Sequence, residues 1–276
     1  VAGLRGGHSG ADIHLGRGSG NRLMGRVLAT ALEKFPGLRL AAISGGQFDN
    51  VICSRCDAVV ALPKGSGRAF EAFIRELEGV LKNEYAVTDP DVTLTCAAAE
   101  TAKAVSAERT VTLVQALTAM PQGVEAMDTD FPGLVQTSLN MGVVKLGGNG
   151  LHIAFSIRSS IASRKLMLAQ RVRAVAALAG GTVAERGVYP GWQYKRESQF
   201  RDTLLAAYKD LTGKDGVVEA THGGLECGLL MEKIPGLDAV SMGPELHDVH
   251  SVRERLSVPS TERTYELVCE LLRRSC

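Results

Sequence analysis

Residues 135–160, VQTSLNMGVVKLGGNGLHIAFSIRSS, decide the fold class of this 276-residue chain. Two runs rich in apolar residues, VQTSLNMGVVKL (135–146) and GLHIAFSIRSS (150–160), meet at the turn sequence GGNG. Such runs on either side of a glycine-rich turn are typical of two paired strands. Helical apolar spacing flanks the pair, in RTVTLVQALTAM (109–120) and SRKLMLAQRVRAVAALAG (163–180). The stretch therefore predicts a strand pair between two helices.

The first hundred residues show a similar order of elements. Strand-like and helical segments alternate as VAGL (1–4), NRLMGRVLATALEKF (21–35), LRLAAISGG (38–46), DAVVALP (57–63), RAFEAFIRELEGVLKNEY (68–85) and DVTLTCAAAE (91–100). This β-α-β-β-α-β order recurs after about 95 residues and closes on a further strand-like segment, TVAERGVYP (182–190). We therefore predict an α+β fold with two tandem ferredoxin-like units, at about residues 1–100 and 101–190.

The pattern changes after residue 190. Helical segments alternate with short apolar strand-like segments, in the order QFRDTLLAAYKDLTG (199–213), VVEAT (217–221), GLECGLLMEKI (224–234), DAVSM (238–242) and PSTERTYELVCELLRR (259–274). Alternation of this kind is typical of an α/β sheet. Because two strands cannot make a complete doubly wound domain, we predict that residues 191–276 form a partial α/β segment.

Composition argues against two classes of partner. Lys and Arg number 31 and Asp and Glu 30, for a net charge of +1, and no basic stripe offers the footprint of a nucleic-acid binder. Apolar runs stop well short of the roughly 20 residues that a membrane span needs. The six cysteines include one CxxC, Cys53 and Cys56, without a second pair or a nearby histidine. We predict buried or unreactive thiols in a reducing cytosol rather than a zinc site.

The loop GPELHDVHS (243–251) holds two of the six histidines, His247 and His250. A loop between a strand and a helix of an α/β sheet is where ligands bind, yet a hydrolytic zinc centre needs further imidazoles or carboxylates. The pattern alone leaves surface histidines and metal ligands both open.

Four other residues are candidates for a site. His8 lies in GGHSG, where glycines permit close backbone approach, so the imidazole is either solvent-facing or functional. Asn140 and Arg158 lie on strands among apolar neighbours, so each is either a satisfied edge residue or a ligand contact. Glu226 begins a helix, where it favours the helix dipole or belongs to a site.

Taken in order, these motifs point to one family. GLRGGHSGADIHLGRG, TSLNMGVVKL, FSIRSS, YPGW, HGGLECGLL and GPELHDVHSVRERLSVPSTERTYELV resemble the Xaa-His dipeptidase (aminoacyl-histidine dipeptidase) family of two-zinc metallopeptidases. The resemblance spans essentially the whole chain and is to the later part of such an enzyme. It implies that residues 1–190 form a lid or dimerisation domain and that residues 191–276 are the C-terminal segment of the catalytic domain.

The resemblance also implies roles for individual residues. His8 matches a lid histidine that stabilises the oxyanion, and Asn140 and Arg158 match lid residues that hold the backbone and C-terminal carboxylate of the substrate. Glu226 matches a residue of the catalytic cleft, and His250 the last zinc ligand. His247 is then loop structure, and Val252 departs from the proline that often follows this motif in the family.

The family's HxD motif, bridging aspartate and Glu-Glu pair are not found in this sequence. The resemblance therefore implies two zinc ions in the intact active site and no hydrolysis by this chain alone. It further implies a cytoplasmic homodimer that acts on dipeptides such as β-alanyl-histidine.

Two other classes remain open. The chain could be a dimerisation or assembly module without catalysis, or part of another hydrolase of the same clan, such as an aminoacylase or tripeptidase. A regulatory domain built from ferredoxin-like repeats leaves GPELHDVHS unexplained.

Overall fold

The computed structural model describes residues 1–100, 103–148, 150–248 and 253–275. It divides into two compact units, Val1–Val188 and Tyr189–Cys276, which we describe separately.

The first unit is mixed α/β. Its elements, in chain order, are β1 (Gly7–His8), a short 3-10 helix (Ile13–Leu15), α1 (Gly20–Lys34), β2 (Arg39–Gly45), β3 (Val51–Ile52), β4 (Cys56–Ala61), α2 (Gly67–Glu84), α3 (Ala107–Ala119), β5 (Gly123–Met127), β6 (Val135–Gly147), β7 (Gly150–Ser159) and α4 (Ala162–Leu178).

Strand β6 is the centre of a five-stranded antiparallel sheet. Along one side it pairs with β7 as far as Gly147 opposite Gly150, which confirms the predicted strand pair. Along the other side it pairs first with β5 and then with β2, and β4 continues the sheet beyond β2. Residues 135–142 of β6 are all buried, as expected for a strand that lies inside a sheet.

Apolar stripes on the helices supply the core against this sheet. In α2, Phe70, Phe73, Leu77 and Leu81 recur at intervals of three or four residues and are buried. Phe35, which follows α1, meets the Phe70 and Phe73 rings edge-on at centroid distances of 5.3 and 5.6 Å. Burying each such side chain stabilises the fold by roughly 1.5–3 kcal/mol.

The prediction of two tandem ferredoxin-like units is not confirmed. Strands from both predicted units, β2 and β6, pair in one sheet. The predicted strands at 1–4 and 91–100 meet only in a single bridge between Ala2 and Thr93, and residues 182–190 form no strand. Apolar content suits a segment to a strand, but a strand also requires a neighbour with unpaired backbone groups.

The second unit contains α5 (Gln199–Thr212), α6 (Glu226–Lys233), β8 (Leu246–His247), β9 (Arg255–Leu256) and α7 (Val258–Ser275). Helix α5 begins at Ser198, whose hydroxyl accepts the Arg201 N–H at 3.1 Å, and ends at Gly213 in the left-handed conformation. Helices α5 and α7 pack together, with Arg274 bound to Asp210 at 2.7 Å.

The prediction of strands at 217–221 and 238–242 was wrong, because both segments are irregular. Apolar character makes a segment suitable for a buried strand, but only hydrogen bonds to a neighbouring strand create one. No described strand of the second unit lies beside either segment.

Candidate functional site

His8 lies at the end of β1, on a loop that the rest of the first unit holds in place. It pairs antiparallel with Val51 of β3, and the Ser9 N–H donates to the Asn50 carbonyl at 2.9 Å. The side chain is exposed. Strand pairing thus fixes the backbone while the imidazole projects outward.

Backbone amides determine which His8 nitrogen carries the proton. The N–H groups of Gly10 and Ala11 both donate to His8 Nδ1, each at 3.3 Å. A nitrogen that accepts hydrogen bonds carries no hydrogen, so the hydrogen-bond network assigns the neutral ring's proton to Nε2. His8 therefore presents Nε2–H as a hydrogen-bond donor.

Arg158 approaches the same turn from β7. A Cβ built on Gly10 would lie 3.0 Å from the His8 ring carbon Cε1 and 3.4 Å from Arg158 Cζ, so both side chains converge on this glycine. Gly10 has no side chain to separate them. The structure thereby brings together two candidates that are 150 residues apart in sequence.

The Arg158 guanidinium is half-buried, and its surroundings only partly replace the interactions with water that it loses on burial. Burial lowers the pKa of Arg158, and the carboxylate of Asp49 opposes this shift. Its Nε is buried without a hydrogen-bond partner. A buried cation with an unused donor is suited to an anionic ligand.

Asn140 is fully buried in β6, and its amide is engaged by the protein. Its Nδ2 donates to the carbonyls of Asp49 and Val51 at 2.7 and 2.8 Å, and its Oδ1 accepts from Gln122 Nε2 at 3.3 Å. Asn140 therefore ties the loop that precedes β3 to the central strand. Since β3 pairs with His8, this amide supports the His8 backbone.

Glu226 lies in the second unit, exposed at the start of α6. It adjoins Tyr189, whose pKa is raised by burial and then by the nearby Glu226 and Cys227. A Cβ on Gly224 would lie 2.1 Å from Tyr189 Cδ1. The motifs YPGW and GGLECG are thus packed against each other within this unit.

The predicted zinc ligand His250 and its neighbour Val252 lie outside the described residues. His247 is exposed in β8. Within the described ranges, no group of three or more His, Cys, Asp or Glu side chains could hold a metal ion. The residues that the structure describes therefore do not assemble a metal centre by themselves.

Cys53 and Cys56 are free and buried, which confirms the interpretation of the CxxC as buried thiols. Burial raises the pKa of both, that of Cys56 to about 12. Because thiolates are the nucleophiles and metal ligands, this environment disfavours both roles.

Three functional neighbours were missed by the sequence analysis. Asp12 and Arg17 brace the His8 turn, and Asp49 faces Arg158. The spacing of Asp12 four residues after His8, inside a glycine-rich turn, was the one available signal. No sequence pattern links Asp49 to Arg158.

None of the helices in the described part of the chain is long and apolar enough to cross a bilayer.

Comparison with known proteins places these features in context. Residues 1–89 match the family model of a peptidase dimerisation domain. The chain is 34% identical over 274 residues to the cytosol non-specific dipeptidase of Escherichia coli (strain K12), covering 99% of this chain and 56% of that protein. Its structure is similar to the crystal structure of aminoacylhistidine dipeptidase from Vibrio alginolyticus, with a TM-score of 0.88 and 33% identity.

That structural match covers 99% of this chain and 56% of the Vibrio chain, so the chain spans just over half the length of the relatives it matches. These relatives are dipeptidases, which are hydrolases. The resemblance of this chain to the aminoacyl-histidine dipeptidases is thereby confirmed along nearly its whole length.

Proposed function

We propose that this chain is the substrate-enclosing part of a metal-dependent dipeptidase that cleaves Xaa-His dipeptides, including β-alanyl-histidine. The observation that carries the proposal is the convergence of His8 and Arg158 on Gly10. A hydrogen-bond donor and a half-buried cation at one turn match two polar features of every dipeptide, the scissile carbonyl and the terminal carboxylate.

Arg158 is proposed to bind the substrate's terminal carboxylate. A guanidinium offers parallel N–H donors that suit a carboxylate, and such charge-assisted pairs are about twice as strong as neutral ones. The buried, unpartnered Nε supports this role. The Asp49 carboxylate opposes the lowering of the Arg158 pKa by burial and so favours the charged guanidinium.

His8 is proposed to stabilise the negative charge that develops on the carbonyl oxygen. The two amides that bind Nδ1 leave Nε2 as the ring nitrogen that can donate a hydrogen bond. Removing one such preorganised donor costs roughly 3 kcal/mol, or about a hundredfold in kcat.

The remaining predicted residues take supporting roles in this proposal. Asn140 holds the His8 loop and so supports substrate binding indirectly. Glu226 lines the catalytic cleft, and His250 is a zinc ligand. Two bound zinc ions would supply an activated water and a polarised carbonyl. Since the described residues hold no cluster of three ligands, we assign no step of the reaction to a metal.

At the level of the whole protein, we propose a cytoplasmic homodimer in which residues 1–190 form the lid. The match of residues 1–89 to a peptidase dimerisation domain supports self-association. It equally supports a second candidate function, an assembly module without catalysis. The name of the Escherichia coli relative, a non-specific dipeptidase, supports a third, a hydrolase of the same clan with broader specificity.

A chimera separates these candidates. The matching region of the Escherichia coli relative is replaced by this chain, and hydrolysis of β-alanyl-histidine, other Xaa-His dipeptides, dipeptides without histidine, tripeptides and N-acylated amino acids is measured. We expect Xaa-His hydrolysis that falls about a hundredfold in His8→Ala through kcat. Arg158→Ala should instead raise KM for every dipeptide.

Three results would contradict the proposal. A folded chimera whose dipeptide hydrolysis is unchanged by His8→Ala leaves His8 without a catalytic role. A folded, dimeric chimera without any hydrolysis favours the assembly module. Equal rates on dipeptides with and without histidine favour the broader hydrolase.

The 276-residue chain alone provides an independent measurement. After dialysis against Zn²⁺, we expect less than one tightly bound metal per chain by elemental analysis and no hydrolysis. β-Alanyl-histidine should still shift the amide NMR signal of Gly10, which lies beside Arg158, and this shift should be absent in Arg158→Ala. Two zinc ions per chain with activity would overturn the assignment of a supporting part.

A further inference from the structure

We propose that Asp12 is a positioning residue for His8. It closes the turn whose backbone amides bind the His8 imidazole, and it thereby sets the direction of that ring. The catalytic consequence of this inference rests on the proposed function, whereas the geometric part can be tested on the chain alone.

Asp12 closes the turn at both backbone groups of His8. Its Oδ2 accepts the His8 N–H at 2.8 Å, and its own N–H donates to the His8 carbonyl at 2.8 Å. The first bond depends on the side chain, and the second depends only on the backbone. The Asp12 side chain thus holds the backbone of His8, four residues earlier.

The same turn controls the ring. Gly10 and Ala11, which lie between His8 and Asp12, donate their N–H groups to His8 Nδ1 at 3.3 Å each. These distances are at the long end of the hydrogen-bond range, so a small opening of the turn removes both bonds. The imidazole then loses two bonds that set its direction, so the orientation of Nε2–H changes.

Arg17 holds the Asp12 carboxylate from the other side. Its Nη1 lies 3.7 Å from Asp12 Oδ1 and donates to the Gly6 carbonyl at 2.7 Å. The two side chains are 24% and 28% exposed, so the pair is shielded more than a surface ion pair. A Cβ on Gly7 would lie 2.6 Å from both Arg17 Nη1 and Asp12 Oδ2, which explains a glycine there.

These hydrogen bonds and the ion pair join residues 6–17 to one another and include no residue of the five-stranded sheet or of the main core. Loss of the Asp12 carboxylate should therefore disturb the His8 turn without unfolding the unit. Substitution of a residue that served only stability would instead lower the stability of the unit without a specific change at the His8 turn.

The first test is NMR of the ¹⁵N-labelled 276-residue chain, with Asp12→Ala, Asp12→Asn and the control Asp91→Ala at an exposed turn position. We expect Asp12→Ala to shift the amide signals of Gly10 and Ala11 and the ring signals of His8, and to speed amide exchange at both amides at least about tenfold. Asp12→Asn should have a smaller effect, because its amide oxygen still accepts the His8 N–H but carries no charge for Arg17.

Changes confined to the His8 amide, with Gly10, Ala11 and the ring unaffected, would overturn the proposal. The proposal would also be overturned if Asp12→Ala lowered the urea midpoint of unfolding as much as a core substitution does, because Asp12 would then stabilise the whole unit. This test needs no hydrolysis and stands even if the proposed function fails.

The second test is a double-mutant cycle in the chimera described above. Asp12→Ala should lower kcat for β-alanyl-histidine by about tenfold with KM unchanged, since a misplaced group loses much of its effect. On a His8→Ala background the same change should have no further effect. Additive losses would show that Asp12 acts elsewhere, and an inactive parent chimera would count against the proposed function rather than against the positioning role.

Discussion

Asp89 provides a quantitative test of how the glycine-rich segments around His8 are held. It is fully buried, and its two carboxylate oxygens accept the backbone N–H groups of Arg5 and Gly18, each at 2.8 Å. These amides lie on either side of the His8 turn. One carboxylate thereby anchors both ends of that turn to a single point below it.

Asp89→Asn keeps the shape of the side chain and removes one acceptor. One of the two backbone amides then faces an NH₂ group, and the other keeps only a neutral partner. Hydrogen bonds to a charged group contribute about 1.5–3 kcal/mol, so we expect a loss of roughly 2–3 kcal/mol in the free energy of unfolding. Asp89→Ala should lose more, because both amides are left without an acceptor.

The assay is urea unfolding of the 276-residue chain followed by far-UV circular dichroism, with amide exchange at Arg5 and Gly18 as a local readout. Asp91→Asn makes the same chemical change two residues away at an exposed position and should stay within about 0.5 kcal/mol of the parent chain. If Asp89→Asn is as stable as Asp91→Asn, the buried carboxylate does not hold these amides and the reasoning is refuted.

Two further predictions follow from titratable groups of the first unit. Alkylation of the native chain, followed by mass spectrometry, should label exposed Cys96 and spare Cys53 and Cys56 until the chain is unfolded. The two spared thiols are buried, and burial raises the pKa of both. Equal labelling of the three cysteines in the native chain would contradict this prediction. The Arg26 guanidinium lowers the pKa of Glu84 below its ordinary 4.5, so the pair stabilises the fold above about pH 4.5 and loses that contribution as pH falls through the lowered pKa. Both side chains are exposed, so Glu84→Gln should cost under about 1 kcal/mol at pH 7 in urea unfolding and less at pH 3. An equal cost at both pH values would exclude the ion pair as the cause.

Helices and the central strand pair could be predicted because their signals are local. The apolar stripes of α1, α2 and α3 recur with the helical period, and β6 and β7 are long runs joined by glycines. Strand β5, Gly123–Met127, was missed, since five residues with two polar or glycine positions carry no clear alternation. It is a strand only because β6 lies beside it.

Some features of the candidate site could likewise be predicted from the sequence, and others could not. His8 and Arg158 were identifiable as residue types in unusual surroundings, one in a glycine-rich turn and the other in an apolar strand. The sequence left Asn140 open between a satisfied polar residue and a ligand contact, and the structure places its amide between Asp49, Val51 and Gln122. A sequence does not show whether a buried amide finds its partners within the protein.

By itself, the sequence determined the helices, the central strand pair, the resemblance to aminoacyl-histidine dipeptidases and the residue types available for chemistry. These follow from periodicity, turn residues and motif order, all of which act over short distances along the chain. The tertiary structure alone decided that β2 joins β6 in one sheet, that His8 and Arg158 meet at Gly10, and that Asp89 anchors the segments on both sides of the His8 turn. Hydrogen bonds and packing between residues 70 or more positions apart depend on the folded path of the chain, and no local pattern encodes them.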